Sequence, residues 1–306
     1  MPNRWWTYQR ERFPLAANAP LIAAFSFSAI SYSSMLRGPG VLPDPGAATV
    51  AFFSAFFFFL QLRFADEFKD FEEDSRYRPY RPVPRGLIKL HELGWAWFGS
   101  AFLQLMMALW LKPVLALWLV LVWIYLALMS KEFFAKSWLK SRPFTYMWTH
   151  MLIVPLIDFY TTACDWQVAG VRPPKGLLWF LLVSFFNGMV VEIGRKIRAP
   201  QDEETGVETY SFLWGRSRAV AAWLAAMTVT AVFACLAAER IGFRMPVMWL
   251  LIAVLVSASA ISAAFLRHPR PKRGRWFEAM SGIWSLFMYL GLGAIPLFLR
   301  IFRGHA

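Results

Sequence analysis

The sequence predicts an all-α, polytopic membrane protein forming one domain over residues 1–306. Three observations predict it. Hydrophobic residues make up 58% of the chain, and its 29 Phe and 16 Trp far exceed what a soluble domain of this length carries. Nine apolar runs approach the length of a bilayer span, at 15–36, 46–65, 92–111, 113–130, 144–163, 176–193, 218–238, 245–266 and 278–300. Counting flanking span ends, 24 of the 32 Lys and Arg fall on the N-terminal segment and the loops after runs 2, 4, 6 and 8. By the positive-inside rule these segments are cytoplasmic. Helices are the expected form, because in lipid only helices and closed barrels satisfy their own backbone polar groups.

In chain order, the N-terminal segment carries Arg4, Arg10 and Arg12 and has no small-residue cleavage site before run 1. Run 2 is rich in Phe over 50–62. A single Lys112-Pro113 corner separates runs 3 and 4. Run 5 holds His150 and, eight residues on, Asp158, an ionisable group at membrane depth and so a functional candidate. Run 6 holds Asn187, five residues before Glu192. Cys164 and Cys235 have neither metal-ligand spacing nor a disulfide framework. After run 8 comes a basic patch, Arg267 to Arg275, suited to anchoring on anionic membrane lipids. The net charge of +13 follows this topology, so no nucleic-acid partner is expected. There is no P-loop, dinucleotide fingerprint, His-Glu-x-x-His or Gly-x-Ser-x-Gly motif.

The densest chemistry lies where run 2 ends. Asp66, Glu67, Asp70, Glu72, Glu73 and Asp74 put six carboxylates into nine residues at a membrane surface, which is costly without a cation among them. On a helix Asp66, Asp70 and Asp74 fall at i, i+4 and i+8, each turned ~40° from the last, and form one acidic stripe. Magnesium uses one or two carboxylates and completes its shell with water and phosphate, so the stripe reads as a metal-diphosphate site.

Asp66-Glu67-x-x-Asp70-x-x-x-Asp74 is followed by Arg81-Pro82-x-Pro84-x-Gly86-x-Ile88. This pair resembles the first signature of the UbiA-type intramembrane prenyltransferases, Asn-Asp-x-x-Asp-x-x-x-Asp followed by Arg-Pro-x-x-x-Gly. The resemblance implies nine helices in a ring around a central cavity with cytoplasmic capping loops. It also implies Mg2+ held against the diphosphate of an isoprenoid donor by Asp66, Glu67, Asp70 and Asp74, with Arg81 in reach of phosphate. Asp66 stands where the family usually has Asn, and Glu67 where it has Asp; both keep oxygen ligands.

The second family signature, Asp-x-x-Asp-x-x-x-Asp before Gly-x-x-Ser/Thr, departs further. Counted back from Gly206 and Thr209, Asp202 takes the third carboxylate position while Arg195 and Arg198 take the first two. Lys196 lies between them and Glu192 one turn earlier. Guanidinium groups bind phosphate in bidentate fashion, so an Arg-Lys-Arg clamp can neutralise the leaving group in place of a second metal.

The function these readings imply is Mg-dependent transfer of an isoprenoid group from a prenyl diphosphate to a lipophilic or aromatic acceptor. Asp66, Asp70, Asp74, Arg195 and Arg198 are the expected catalytic residues. Arg81, Lys196, Glu192, Asn187 and Asp158 are expected to bind substrate, and Asp202 to join the metal ligands. The setting implied is a bacterial inner membrane with the N-terminus and site loops cytoplasmic. Three alternatives stand beside it: a membrane-bound terpene cyclase of the same superfamily, phosphoribosyl transfer to a polyprenyl phosphate, and a divalent-cation transporter. The last fits poorly, because transporter sites are built near the bilayer midplane and the stripe is at a helix end.

Overall fold

The computed structural model describes residues 3–303. Among these residues all regular structure is helical. A short surface helix, α1 (Arg4–Arg12), precedes α2 (Leu15–Arg37) and α3 (Pro45–Lys69). Asp44 caps α3 by accepting from the Ala47 amide at 2.8 Å, and Pro45 supplies a first helical position that needs no donor. After a bend at Asp70 come α4 (Phe71–Tyr77), α5 (Leu90–Leu111) and α6 (Leu115–Ser130). Next are α7 (Lys136–Lys140), α8 (Pro143–Met151), α9 (Ile153–Trp166) and α10 (Leu177–Arg195). The chain finishes with α11 (Tyr210–Trp214), α12 (Arg216–Arg240), α13 (Arg244–Arg267), α14 (Arg275–Leu292) and α15 (Ala294–Arg303).

Seven helical stretches are long and apolar enough to cross a bilayer: α2, α3, α5, α10, α12, α13 and the α14–α15 stretch. The expected count of nine is therefore not met by length and composition. Apolar α6 has 16 residues, and run 5 divides into α8 and α9 at Leu152. Pro155 accounts for the division, since it has no amide to donate to the Met151 carbonyl and its ring crowds that group. Run 9 breaks at Gly293, where the chain lies against the Ser28 backbone.

Neighbouring contacts run α2–α3–α5–α6–α9–α10–α12–α13–α14 and back to α2, which closes a ring. Inside it α2 and α3 touch α9, and α10 touches α14, around buried Trp166, Trp223 and Trp284. Two apolar hollows, about 290 Å³ between α12 and α13 and about 350 Å³ beside Phe27 and α15, lie away from the acidic run.

Two features carry this frame to the site. A small separate core of Tyr8, Phe64, Val83, Ile88 and Leu93 ties α1, the end of α3, the Arg-Pro loop and the start of α5 together. At the end of α10, Gly194 lets the helix press against α12 and α14. A Cβ there would collide with Ser281 Oγ and stand 2.9 Å from Trp223 Nε1 and 3.0 Å from the Phe277 carbonyl. Gly194→Ala is expected to cost about 1–3 kcal/mol through overpacking, read as a lower thermal unfolding midpoint of the detergent-solubilised protein.

Candidate active site

The acidic stripe sits on a nearly unbroken helical spine. The carbonyls of Asp66, Asp70 and Asp74 accept in turn from the amides of Asp70, Asp74 and Arg78 at 2.8–2.9 Å. Asp70 itself leaves helical geometry, with φ −95° and ψ 5°. The bend divides the carboxylates into two sets.

One set is neutralised by arginine. Glu67 is buried and paired with Arg12 of α1. Asp74 is buried and held by Arg81 at 2.5 Å and Arg78 at 3.5 Å. Arg81, expected at a phosphate, is thus bonded to the acidic helix, and its Arg-Pro loop is folded by that bond and by Val83 and Ile88 beneath it. The second set is Asp66 and Asp70. Asp66 is a third exposed and meets Arg63 at 3.3 Å and Lys69 at 4.0 Å. Asp70 is half-buried and makes no side-chain hydrogen bond or ion pair among the described residues. Burial pushes its carboxyl above the ordinary value; Lys69 pulls it back, and Asp66, Asp74 and Glu73 push it up again.

Across from the stripe, the end of α10 brings Arg195 and Lys196 onto one buried carboxylate. Glu192 accepts from Arg195 at 2.5 Å and from Lys196 at 2.8 Å, giving a triad of net charge about +1. Arg195 is within electrostatic reach of Asp66, so the two signature loops meet. Lys196 also stands 5.4 Å from the centre of the Tyr210 ring. Arg198 is fixed through its backbone, its amide donating to Ser211 Oγ at 2.7 Å. Asp202 accepts from the Lys272 amide at 2.7 Å, which ties the second loop to the basic patch.

The loops also interlock. Gly206 has φ +77°, and a Cβ there would stand 2.6 Å from the Tyr77 ring, so only glycine admits both the turn and the contact. Beside it Glu204 accepts from Tyr80 OH at 3.2 Å and lies 4.0 Å from Arg78.

Asp158 and Asn187 share a buried polar layer between α9, α10 and α14. Ser184 and Tyr289 donate to the Asp158 carboxylate, and Ser285 donates to Asn187 Oδ1 at 3.0 Å. Arg12, Arg63 and Lys69 carried no functional sign in the sequence. Lys69, between two of the aspartates, donates to Tyr146 OH at 2.8 Å, and Tyr146 stacks on His150 with 3.9 Å between ring centres. Arg63 is partly buried and donates to Asp66 at 3.3 Å. Arg12 reaches Glu67 across 55 positions, a pairing no local pattern signals.

Among the described residues no three His, Cys, Asp or Glu side chains converge into a cage for a metal ion. Asp66 and Asp70 together still match the needs of magnesium, which takes one or two carboxylates and leaves the rest of its shell to water and phosphate. Asp70, lacking an ion-pair partner of its own, is the carboxylate best suited to a cation.

A model of the UbiA prenyltransferase family matches residues 24–291. No curated protein sequence matches the chain. Among solved structures, a UbiA homologue from Aeropyrum pernix K1 is similar with a TM-score of 0.66 at 14% identity, covering 94% of this chain and 98% of that one. A structure concerning digeranylgeranylglyceryl phosphate synthase gives a TM-score of 0.63 at 17% identity, covering 95% and 99%. A UbiA homologue from Archaeoglobus fulgidus bound to DMAPP and Mg2+ gives 0.54 at 13% identity, covering 93% and 98%.

Arg12→Ala leaves Glu67 buried and unpaired, and is expected to destabilise the protein by about 3–5 kcal/mol. The double variant Arg12→Met/Glu67→Leu is expected to recover most of that loss. Thermal unfolding midpoints of the three proteins check both expectations.

Proposed function

Because the chain belongs to the UbiA prenyltransferase family, we propose that it transfers an isoprenoid group from a prenyl diphosphate to a lipophilic or aromatic acceptor, with magnesium as cofactor. The observation that carries the reading is the meeting of two opposed sets at one membrane-facing end of the bundle. Asp66, paired only with Arg63 and Lys69 of its own helix, and Asp70, with no ion-pair partner among the described residues, stand near the Arg195–Glu192–Lys196 triad. The Archaeoglobus homologue bound to DMAPP and Mg2+ supports the choice of donor and metal.

In this reading Asp66 and Asp70 hold magnesium, which when bound supplies positive charge to the diphosphate oxygens. Glu67 and Asp74 fix the helix that presents them, through Arg12 and Arg81. Arg195 and Lys196 bind the diphosphate, and Glu192 keeps the two cations aimed and their charge partly balanced. Arg63 and Lys69, beneath the stripe, add fixed positive charge. As the carbon–oxygen bond of the donor breaks, its electron pair leaves with pyrophosphate, whose growing charge these groups stabilise. Apolar walls keep water from the allylic cation until the acceptor captures it. Asp202 and the backbone-held Arg198 brace the second loop against the patch at Lys272. The side bias of Lys and Arg supports a cytoplasmic site in a bacterial inner membrane.

Pyrophosphate release by the purified protein tests the reading, with a graded series of prenyl diphosphates and, separately, phosphoribosyl diphosphate. Mg-dependent release from a prenyl donor is expected, and Asp70→Asn is expected to lower it on the order of 100-fold with the unfolding midpoint unchanged. Release from phosphoribosyl diphosphate alone, or full activity of the variant, would overturn it. Arg195→Ala is expected to raise the donor KM or lower kcat roughly tenfold or more, read from initial rates across donor concentrations.

A further inference from the structure

Transfer by ionisation leaves a proton to be removed, and none of the groups assigned above is placed to take it. When the allylic cation is captured, the new bond is made by an electron pair of the acceptor, and the proton on the attacking atom must go elsewhere. The group that accepts it needs an open lone pair near the diphosphate site without being tied up by a cation.

His150 meets that description. It is 7% exposed, on α8, and its Nδ1 lies 2.8 Å from the Tyr146 carbonyl. A carbonyl can only accept, so Nδ1 carries the hydrogen and Nε2 of the neutral ring holds a bare lone pair. Nε2 is buried and has no hydrogen-bond partner among the described residues. Leaving such an acceptor unsatisfied costs about 1–3 kcal/mol, a cost that a donor arriving with a substrate would remove.

The surroundings place the ring beside the site. Tyr146, stacked on the imidazole, accepts from Lys69, which lies between Asp66 and Asp70 in the chain. The charged groups facing His150 are Lys69 and Asp66 from α3 and Glu192 from α10. Phe133 stands edge-on to the ring with 6.0 Å between centres. That phenylalanine belongs to an unusual turn: Glu132, Phe133 and Phe134 have φ of 48°, 52° and 57°, three consecutive non-glycine residues in the left-handed region. Each such residue costs on the order of 1–3 kcal/mol, and strain of this kind persists where the surrounding structure imposes it.

We propose that His150 Nε2 accepts the proton released when the acceptor captures the isoprenyl cation. The inference rests on the prenyl-transfer reading. The carbon–oxygen bond of the donor breaks with its electron pair going to pyrophosphate. An electron pair of the acceptor forms the new bond to carbon, and the acidic proton of the resulting cation passes to Nε2 while Nδ1 keeps its own hydrogen on the Tyr146 carbonyl. A protonated oxygen ether or an arenium cation is a very strong acid, so a neutral imidazole beside Lys69 is basic enough. The proton then leaves the imidazolium with pyrophosphate.

His150→Asn is the test, because the asparagine amide can still donate to the Tyr146 carbonyl while the Nε2 position is deleted. Purified wild type and variant, in vesicles of native lipid extract that also supplies acceptor, are given labelled geranyl diphosphate with Mg2+. Pyrophosphate is counted separately from organic products, and mass spectrometry separates prenylated acceptor from geraniol. The variant is expected to release pyrophosphate within about threefold of wild type, while prenylated acceptor falls on the order of 100-fold and geraniol takes its place. Equal loss of release and adduct would return His150 to a structural role, and an unchanged adduct yield would put the base elsewhere. Wild type that makes only geraniol would also overturn the proposal. Absence of pyrophosphate release from wild type would instead overturn the prenyl-transfer reading beneath it.

Discussion

A dense run of acid at the edge of a bilayer holds its shape only if arginines take up part of its charge. In this protein Arg12 and Arg81 do so, and much of the site's architecture depends on those two pairings. Each buries a carboxylate that an apolar environment would otherwise force to protonate or to turn outward. Together they set Glu67 and Asp74 apart from Asp66 and Asp70. They also recruit distant chain to the site, α1 through Arg12 and the Arg-Pro loop through Arg81. The small core of Tyr8, Phe64, Val83, Ile88 and Leu93 packs beneath both.

The same logic, with signs reversed, governs the other loop. Where the family pattern sets its first two carboxylates, this chain sets Arg195 and Arg198; Asp202 keeps the third position, and Glu192, one turn earlier, accepts from Arg195 and Lys196. A lone arginine facing an acidic helix would simply pair with it and close the gap. Glu192 prevents that by engaging Arg195 and Lys196 from their own helix, leaving a positive excess that an incoming anion can use. Gly194 makes the arrangement possible, since the tight approach of α10 to Trp223 and Ser281 sets the direction in which the next two side chains leave the helix.

Much of this was legible in the sequence and some was not, for identifiable reasons. Apolar runs report helices because burial in lipid demands backbone self-satisfaction, and the helices close the ring that the family resemblance implied. The acidic stripe was legible because i, i+4 spacing is local. Its division into two sets was hidden, since Arg12 is 55 residues from Glu67 and carries no mark of its partner. Pro155 signalled the break at Leu152, but a count of hydropathy alone passes over it. The left-handed turn at Glu132–Phe134 has no glycine or asparagine to announce it; tertiary context alone imposes it. Asp158 and Asn187 read as site residues because each is polar within an apolar run. They fall together in a hydrogen-bonded layer with Ser184, Ser285 and Tyr289.

The clasp between Gly206 and the Tyr77 ring, with Glu204 set against Tyr80 and Arg78, also governs when the site comes into existence during synthesis. Its halves are about 125 residues apart in the chain, and α5 through α10 lie between them. The acidic helix therefore emerges and enters the membrane long before the basic loop does. Until α10 has been made and laid beside its neighbours, the nascent protein has open carboxylates and no opposing cations. The clasp between the two loops is therefore closed late and in one step, so an interrupted chain that stops short of residue 206 presents only half of it.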